Sequence, residues 1–183
     1  NTGSYITGSK TVTISDANAT AIDATDLSTI GALTTGTVTV TNAIVISGTE
    51  SQVTAALVTA DTKVIVSDAT VTISDANTTA LEVTDLSTIG GLTTGTVTVS
   101  NAVVLTGTQA ELEAALITAD TKVVATTANV TVEDAASISE LAAIDAAIAT
   151  MSYSTVADTT SNAATNTGSY ITGSKTVTIS DAN

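Results

Sequence analysis

The strongest constraint on this chain is that its sequence repeats. Residues 1–18 read NTGSYITGSKTVTISDAN, and residues 166–183 read the same, letter for letter, so Asn166 restarts what Asn1 began, a period of 165 residues. A shorter repeat lies inside the long one. Residues 12–70 align without gaps with 71–129, with 39 of 59 positions identical. A divergent third unit covers 130–176, and 177–183 open the next period. A short unit that recurs in this way cannot bury its apolar face alone and does so by stacking on its neighbours. The expectation is one continuous segment, 1–183, of a longer tandem array.

Each unit carries the same strand signal: Thr11-Val12-Thr13-Ile14, Thr37-Val38-Thr39-Val40, Thr70-Val71-Thr72-Ile73 and Thr96-Val97-Thr98-Val99. Weaker versions follow at Val130-Thr131-Val132 and Met151-Ser152-Tyr153, and Val177-Thr178-Ile179 resumes the series. Aliphatic and hydroxyl residues alternate, which places them on opposite faces of a strand, and β-branched side chains suit that surface. Asp16, Asp75 and Asp181 end strands, with Asn42 and Asn101 at the matching corner, as Asx residues do in turns. Short apolar stretches follow at 43–46 and 102–105. Extra strands are expected at Lys63–Val66 and Lys122–Val124.

Three capping boxes announce helices: Thr49 with Gln52, Thr108 with Glu111, and Ser137 with Glu140. Shorter helical turns begin at Thr25 and Thr84, and Gly31 and Gly90 read as their stops. The strand signals recur at steps of 26, 33, 26, 33, 21 and 26 residues. Six coils of about 26–33 residues would advance roughly 29 Å per period at one strand spacing each. The fold class expected is therefore mainly β with short α-helices, a parallel β-solenoid of strand–corner–helix coils. The stretch 154–169 is the most polar and reads as loop-like or poorly helical.

Composition narrows the function. The chain has 18 acidic residues against 4 basic ones, a net charge of −14. That excludes a basic face for nucleic acid. With no His and no Cys, the common nucleophile–base pairs of enzymes are missing, and no enzyme is expected. No run of 18 apolar residues suggests a membrane span.

The Val-Thr-Ile-Ser-Asp-Ala strands joined by Ala/Leu/Ile helices resemble the repeats of very large predicted surface or secreted proteins of marine bacteria, cyanobacteria especially. The resemblance implies an extracellular or cell-surface role: a filament, sheath or adhesin stalk whose partners are further copies of the repeat, stacked end to end. No site residues carry over with it. A virion fibre segment is a structural alternative.

Two ladders are candidates for binding. Asp16, Asp75, Asp134 and Asp181 recur at one coil position and would form a carboxylate row that attracts Ca²⁺ through oxygen ligands, although no calcium-loop motif accompanies them. Thr11, Thr13, Thr37, Thr39, Thr70, Thr72, Thr96 and Thr98 would form two parallel files if every coil is in register, resembling the ice-binding faces of some β-solenoid antifreeze proteins. The bland readings are turn caps and an ordinary wet strand face. The lysines Lys10, Lys63, Lys122 and Lys175 each precede a strand and suit helix C-termini. Tyr5, Tyr153 and Tyr170 read as packing residues.

Overall fold

The computed structural model describes residues 5–62, 64–121 and 123–181. The first unit runs through β1 (Val12–Ile14), β2 (Ala21–Asp23), α1 (Ala24–Ala32), β3 (Val38–Val40), β4 (Val45–Gly48), α2 (Glu50–Leu57) and β5 (Val64–Ile65). The second repeats that order: β6 (Thr70–Ile73), β7 (Ala80–Glu82), α3 (Val83–Gly90), β8 (Val97–Val99), β9 (Val104–Gly107), α4 (Gln109–Leu116) and β10 (Val123–Val124). The remainder comprises β11 (Asn129–Val132), α5 (Ile138–Asp145), β12 (Thr150–Ser152), β13 (Thr155–Asp158), α6 (Thr160–Thr165) and β14 (Thr176–Ile179).

This is a mixed α/β structure of repeated β-α-β units with parallel sheets. The strands are only two to four residues long, while most helices run to eight or nine, so helix and strand contribute about equally. The mainly-β expectation is corrected on that point. Every strand pair is parallel. The sheet orders are β1-β3-β5, β10-β8-β6-β4-β2, β12-β11-β9-β7 and β13-β14. Parallel neighbours require a crossover, and the helices supply it.

The expected 33-residue step is not a ladder step. Val38 pairs with Val64 rather than Val71, and Val71 sits between Ile46 and Val97. The extra strands β5 and β10 take up the slack, as their apolar sequence suggested. Direct partners lie 24 to 26 residues apart as far as β11, and 20 or 21 apart beyond it. A consequence follows for the repeat. β6 is the sequence copy of β1, yet it stacks on β4, the second strand of the preceding coil, not on β5.

Three strands carry no alternating signal. Ala21–Asp23 and Ala80–Glu82 each have one large aliphatic residue and run straight into a helix. β13 lies in the stretch expected to be loop-like, followed by the six-residue α6. These strands exist because a neighbour offers an edge, a tertiary cause that local pattern does not encode.

All three capping boxes form. Each satisfies two of the N–H groups that a helix start leaves unpaired. Gly31 and Gly90 lie at the helix ends as expected: α1 ends at Ala32, one residue on, and α3 ends at Gly90 itself. A Cβ on either would overlap the backbone carbonyl of Thr62 or Thr121. Glycine there also permits the close approach of the Thr62 and Thr121 backbone.

A thin continuous core runs through the stack. Ile46, Val71, Val97, Leu105 and Val130 meet Leu27, Leu86, Leu112 and Leu141 from the helices, and all are at most 2% exposed. Burying such a side chain is worth about 1.5–3 kcal/mol.

Candidate functional site

The strand-end aspartates do one job repeatedly. In each case the carboxylate reaches back to the first residue of an earlier helix in the chain. Asp75 Oδ2 accepts the Glu50 N–H at 2.6 Å. Asp134 Oδ1 accepts the Gln109 N–H at 2.7 Å. Asp181 accepts the Thr160 N–H at 2.9 Å and also its hydroxyl. The first N–H groups of a helix lack intrahelical partners and carry its positive dipole end, so a carboxylate is the fitting group.

A fourth member was missed by sequence reasoning. Asp158 Oδ2 accepts the Ile138 N–H of α5 at 3.0 Å, while Oδ1 takes Asn162 Nδ2 and the Thr159 N–H, both at 2.8 Å. Its strand, Thr155–Asp158, lacks the Val-Thr-Ile pattern, so the position was hidden. The Asn162 amide and the Ile138 N–H hold its carboxyl below the usual range, and the Thr160 hydroxyl does the same for Asp181.

Asp16 is the exception. It is exposed, and its carboxylate makes no hydrogen bond among the described residues; only its backbone carbonyl is engaged, by Asn42 Nδ2 at 2.7 Å. The carboxylates expected to share a calcium ion thus serve different helices. Among the described residues no three acidic groups converge on one point.

The threonines divide likewise. Thr13 lies beside Thr39 in the β1-β3-β5 sheet, and the next residue in that file is Ile65. Thr72 lies beside Thr98 in the five-stranded sheet, and Ser47 flanks Thr72 on the other side. Thr70 stands against Val45. Thr11, Thr37 and Thr96 precede their strands, and the carbonyls of Thr37 and Thr96 accept ladder hydrogen bonds from Val12 and Val71. The two files of four therefore become separate pairs on two sheets, because the second unit shifts by one strand position.

Lys175 is not at a helix C-terminus. Its Nζ lies 4.0 Å from the Tyr153 ring centroid and donates to the Tyr153 carbonyl. Lys63 and Lys122 lie outside the described residues. Tyr153 and Tyr170 do pack together, with ring centroids 6.3 Å apart, and Tyr153 Oη donates to the Tyr170 carbonyl at 2.7 Å. Burial and the nearby Asp145 carboxylate push both phenols up. Tyr5, by contrast, is 68% exposed.

One cleft gathers these observations. It has a volume of about 560 Å³ and is lined by Asp16, Ile14, Ile22, Asp26, Leu27 and Ile30, among others. In the second unit the equivalent residues are covered: Asp75 caps α2, Leu81 is 7% exposed and Ile89 is fully buried. In the first unit Ile22 and Ile30 are only partly buried. The cleft corresponds to the space that α2 and β4 occupy beside the second unit. It offers the Asp16 and Asp26 carboxylates above an apolar floor of Ile14, Ile22, Leu27 and Ile30.

Comparisons with protein families, with curated proteins and with solved structures find no match to this chain.

Proposed function

We propose that this chain is a structural module of an extracellular or cell-surface filament, sheath or stalk, built as a parallel β-solenoid that lengthens by stacking further copies of itself. The observation that carries this reading is the octapeptide Thr-Val-Thr-Ile-Ser-Asp-Ala-Asn, present at 11–18, 70–77 and 176–183. Its middle copy is built into the stack on both sides, between β4 and β8. The outer copies have one neighbour each, β3 for β1 and β13 for β14. A recurring segment that pairs in parallel on both of its edges suits a structure lengthened by repetition.

The mechanism is mechanical. Parallel ladders run along the stack, and each coil's aspartate caps the helix before it, so stability accumulates between neighbours. With ladder partners 20 to 26 residues apart, about seven coils fill the period rather than six. At ~4.8 Å per strand they advance ~34 Å. Open sheet edges template further pairing and need an occupant. The threonine pairs are too short to favour an ice-binding face over this reading, and nothing among the described residues gathers carboxylates for a calcium-dependent adhesin.

The test is the length of covalent arrays. Chains of two, three and four 165-residue periods are imaged by electron microscopy and measured by small-angle X-ray scattering. A rod that grows by ~34 Å per period is expected. Beads joined by flexible links would sink the solenoid reading and direct attention to discrete binding domains.

A further inference from the structure

Two corners of the coils carry the same acceptor pattern, and their geometry leaves the reacting atom free. We propose that Asn77 and its repeat counterpart Asn18 are attachment sites for N-linked oligosaccharide, transferred from a lipid diphosphate donor. The inference goes beyond the structural reading above and rests on it in one respect, that the chain is exported.

The pattern Asn-x-Thr, with x other than proline, is the acceptor of N-glycosylation and belongs on a surface loop. It occurs at Asn18-Ala19-Thr20, Asn77-Thr78-Thr79 and Asn129-Val130-Thr131. Corner length sets the first two apart. Between β1 and β2 the chain takes residues 15–20, and between β6 and β7 residues 74–79. The other strand-to-strand corners of the two units, 41–44, 66–69, 100–103 and 125–128, are each two residues shorter. The longer corners close on a turn: the Thr20 and Thr79 N–H groups donate to the Ala17 and Ala76 carbonyls, both at 3.1 Å. Ala19 and Thr78 take the left-handed backbone, at φ 63° and 67°. Residues 17–19 and 76–78 are exposed. Asn77 lies well inside the chain and follows β6, a strand paired on both edges.

Each amide is oriented by one hydrogen bond. Asn77 Oδ1 accepts the Ala102 N–H at 3.0 Å, and Asn18 Oδ1 accepts the Ala43 N–H at 3.1 Å. A backbone N–H must face the oxygen, so the two arms of each amide are assigned. Among the described residues nothing accepts from either Nδ2, the atom to which the sugar is joined. The corner therefore keeps its hydrogen bond when the sugar is attached.

Asn129 is the contrast within the same chain. It opens β11, which pairs with both β9 and β12. Its N–H donates to the Val103 carbonyl, and its Oδ1 accepts the Thr150 hydroxyl from the neighbouring strand. The same three-residue pattern is there held inside a sheet, out of a transferase's reach.

The step balances without a redox partner. Nδ2 attacks C1 of the sugar, and the C1–O bond to the lipid diphosphate breaks. The diphosphate leaves with the bonding electrons, and Nδ2 gives up one proton to a base of the transferase.

The test uses the folded full chain, an oligosaccharyltransferase that requires only Asn-x-Thr, and a lipid-linked oligosaccharide of known mass. Intact mass and peptide mapping are read. Two oligosaccharides are expected, on Asn18 and Asn77. Occupancy at Asn77 should exceed that at Asn129 by about tenfold or more, because Asn129 reacts only when the sheet opens. Asn77→Gln should lose one oligosaccharide, and Thr79→Ala should lose the same one with the asparagine kept. Synthetic peptides spanning 75–81 and 127–133 should both be modified, which assigns the refusal of Asn129 to the fold. Equal occupancy of Asn77 and Asn129 in the folded chain, or an unmodified Asn77 whose peptide is modified, would overturn the proposal. So would faster hydrogen exchange at the Ala102 amide of the modified chain, because the corner would then have to break to react. Covalent arrays that form rods while Asn77 stays unmodified lose only the attachment site; beads with a modified Asn77 lose only the solenoid.

Discussion

Units 12–70 and 71–129 are near copies in sequence, yet they occupy different surroundings. β1 stands at the edge of a three-stranded sheet and β6 at the centre of a five-stranded one. Asp16 is exposed, while Asp75 is 9% exposed and capping a helix. Ile30 is partly buried and Ile89 fully buried. The residues are equivalent, so the difference comes from the neighbour: α2 and β4 precede the second unit, and no described coil precedes the first. The lesson is that in a stacked repeat, the energetic weight of a residue is assigned by the adjacent coil as much as by its own sequence.

That contrast can be tested by paired substitutions. The largest gap is expected at the helix floor. Ile89→Ala leaves a cavity in a closed core and should cost about 3 kcal/mol or more, whereas Ile30→Ala beside the open cleft should cost about half as much. Urea unfolding compares the pair. Equal costs would mean that the cleft is closed in solution. A smaller gap is expected at the caps. Asp75→Ala strips a buried helix start of a charged acceptor and should cost about 2 kcal/mol, while Asp16→Ala should stay within about 0.5 kcal/mol. Hydrogen exchange at the Glu50 amide reads the Asp75 effect locally, and an unchanged rate would refute the capping role.

Much of this was legible in sequence, for reasons that differ by element. The Val/Thr strands and the three capping boxes are local signals, and local signals survive into the fold. The pairing order was not legible, because it depends on β5 and β10, two-residue strands that each add one ladder position to their unit. Once β6 stacked on β4, the expected files of threonines split into Thr13-Thr39 and Thr72-Thr98. The aspartates were found by position, but their task required knowing which earlier helix each one reaches. Asp158 shows the limit: its role is the same, and only the ladder with β14 and the bridge from Ala136 reveal it.

Acid should separate the regions next. Hydrogen bonds from Thr108 hold the Glu111 carboxyl low in the second unit, and Asp158 and Asp181 are held low beyond it. A carboxylate depressed on folding binds fewer protons in the native state than in the unfolded chain. Its contribution is therefore fully present above the ordinary carboxylate pKa, about 4, and is lost as pH falls through the lower folded value. Amides of α5 and α6, served by Asp158 and Asp181, should lose protection below about pH 4. Those of α3, whose start has no side-chain cap hydrogen bond to lose, should hold better. Amide-resolved exchange across that range checks the order, and simultaneous loss in α3 and α6 would contradict it.

The smallest effect is the most discriminating, because it has a favourable sign. Gly90 and Gly91 are adjacent, yet they face opposite situations. A Cβ on Gly90 would overlap the Thr121 carbonyl, while one on Gly91 meets nothing closer than 3.6 Å, at an ordinary helical φ of −69°. The first unit has already made the second change, since Ala32 stands where Gly91 does. Gly91→Ala should therefore stabilise by about 0.5 kcal/mol, chiefly by restricting the unfolded chain. Gly90→Ala should instead force α3 away from Thr121 and destabilise, against the usual advantage of alanine in helices. Thermal unfolding of the two variants gives the sign directly. If Gly90→Ala were also neutral, the close approach of helix to the following coil would not exist in solution, and the tight step between coils would need another cause.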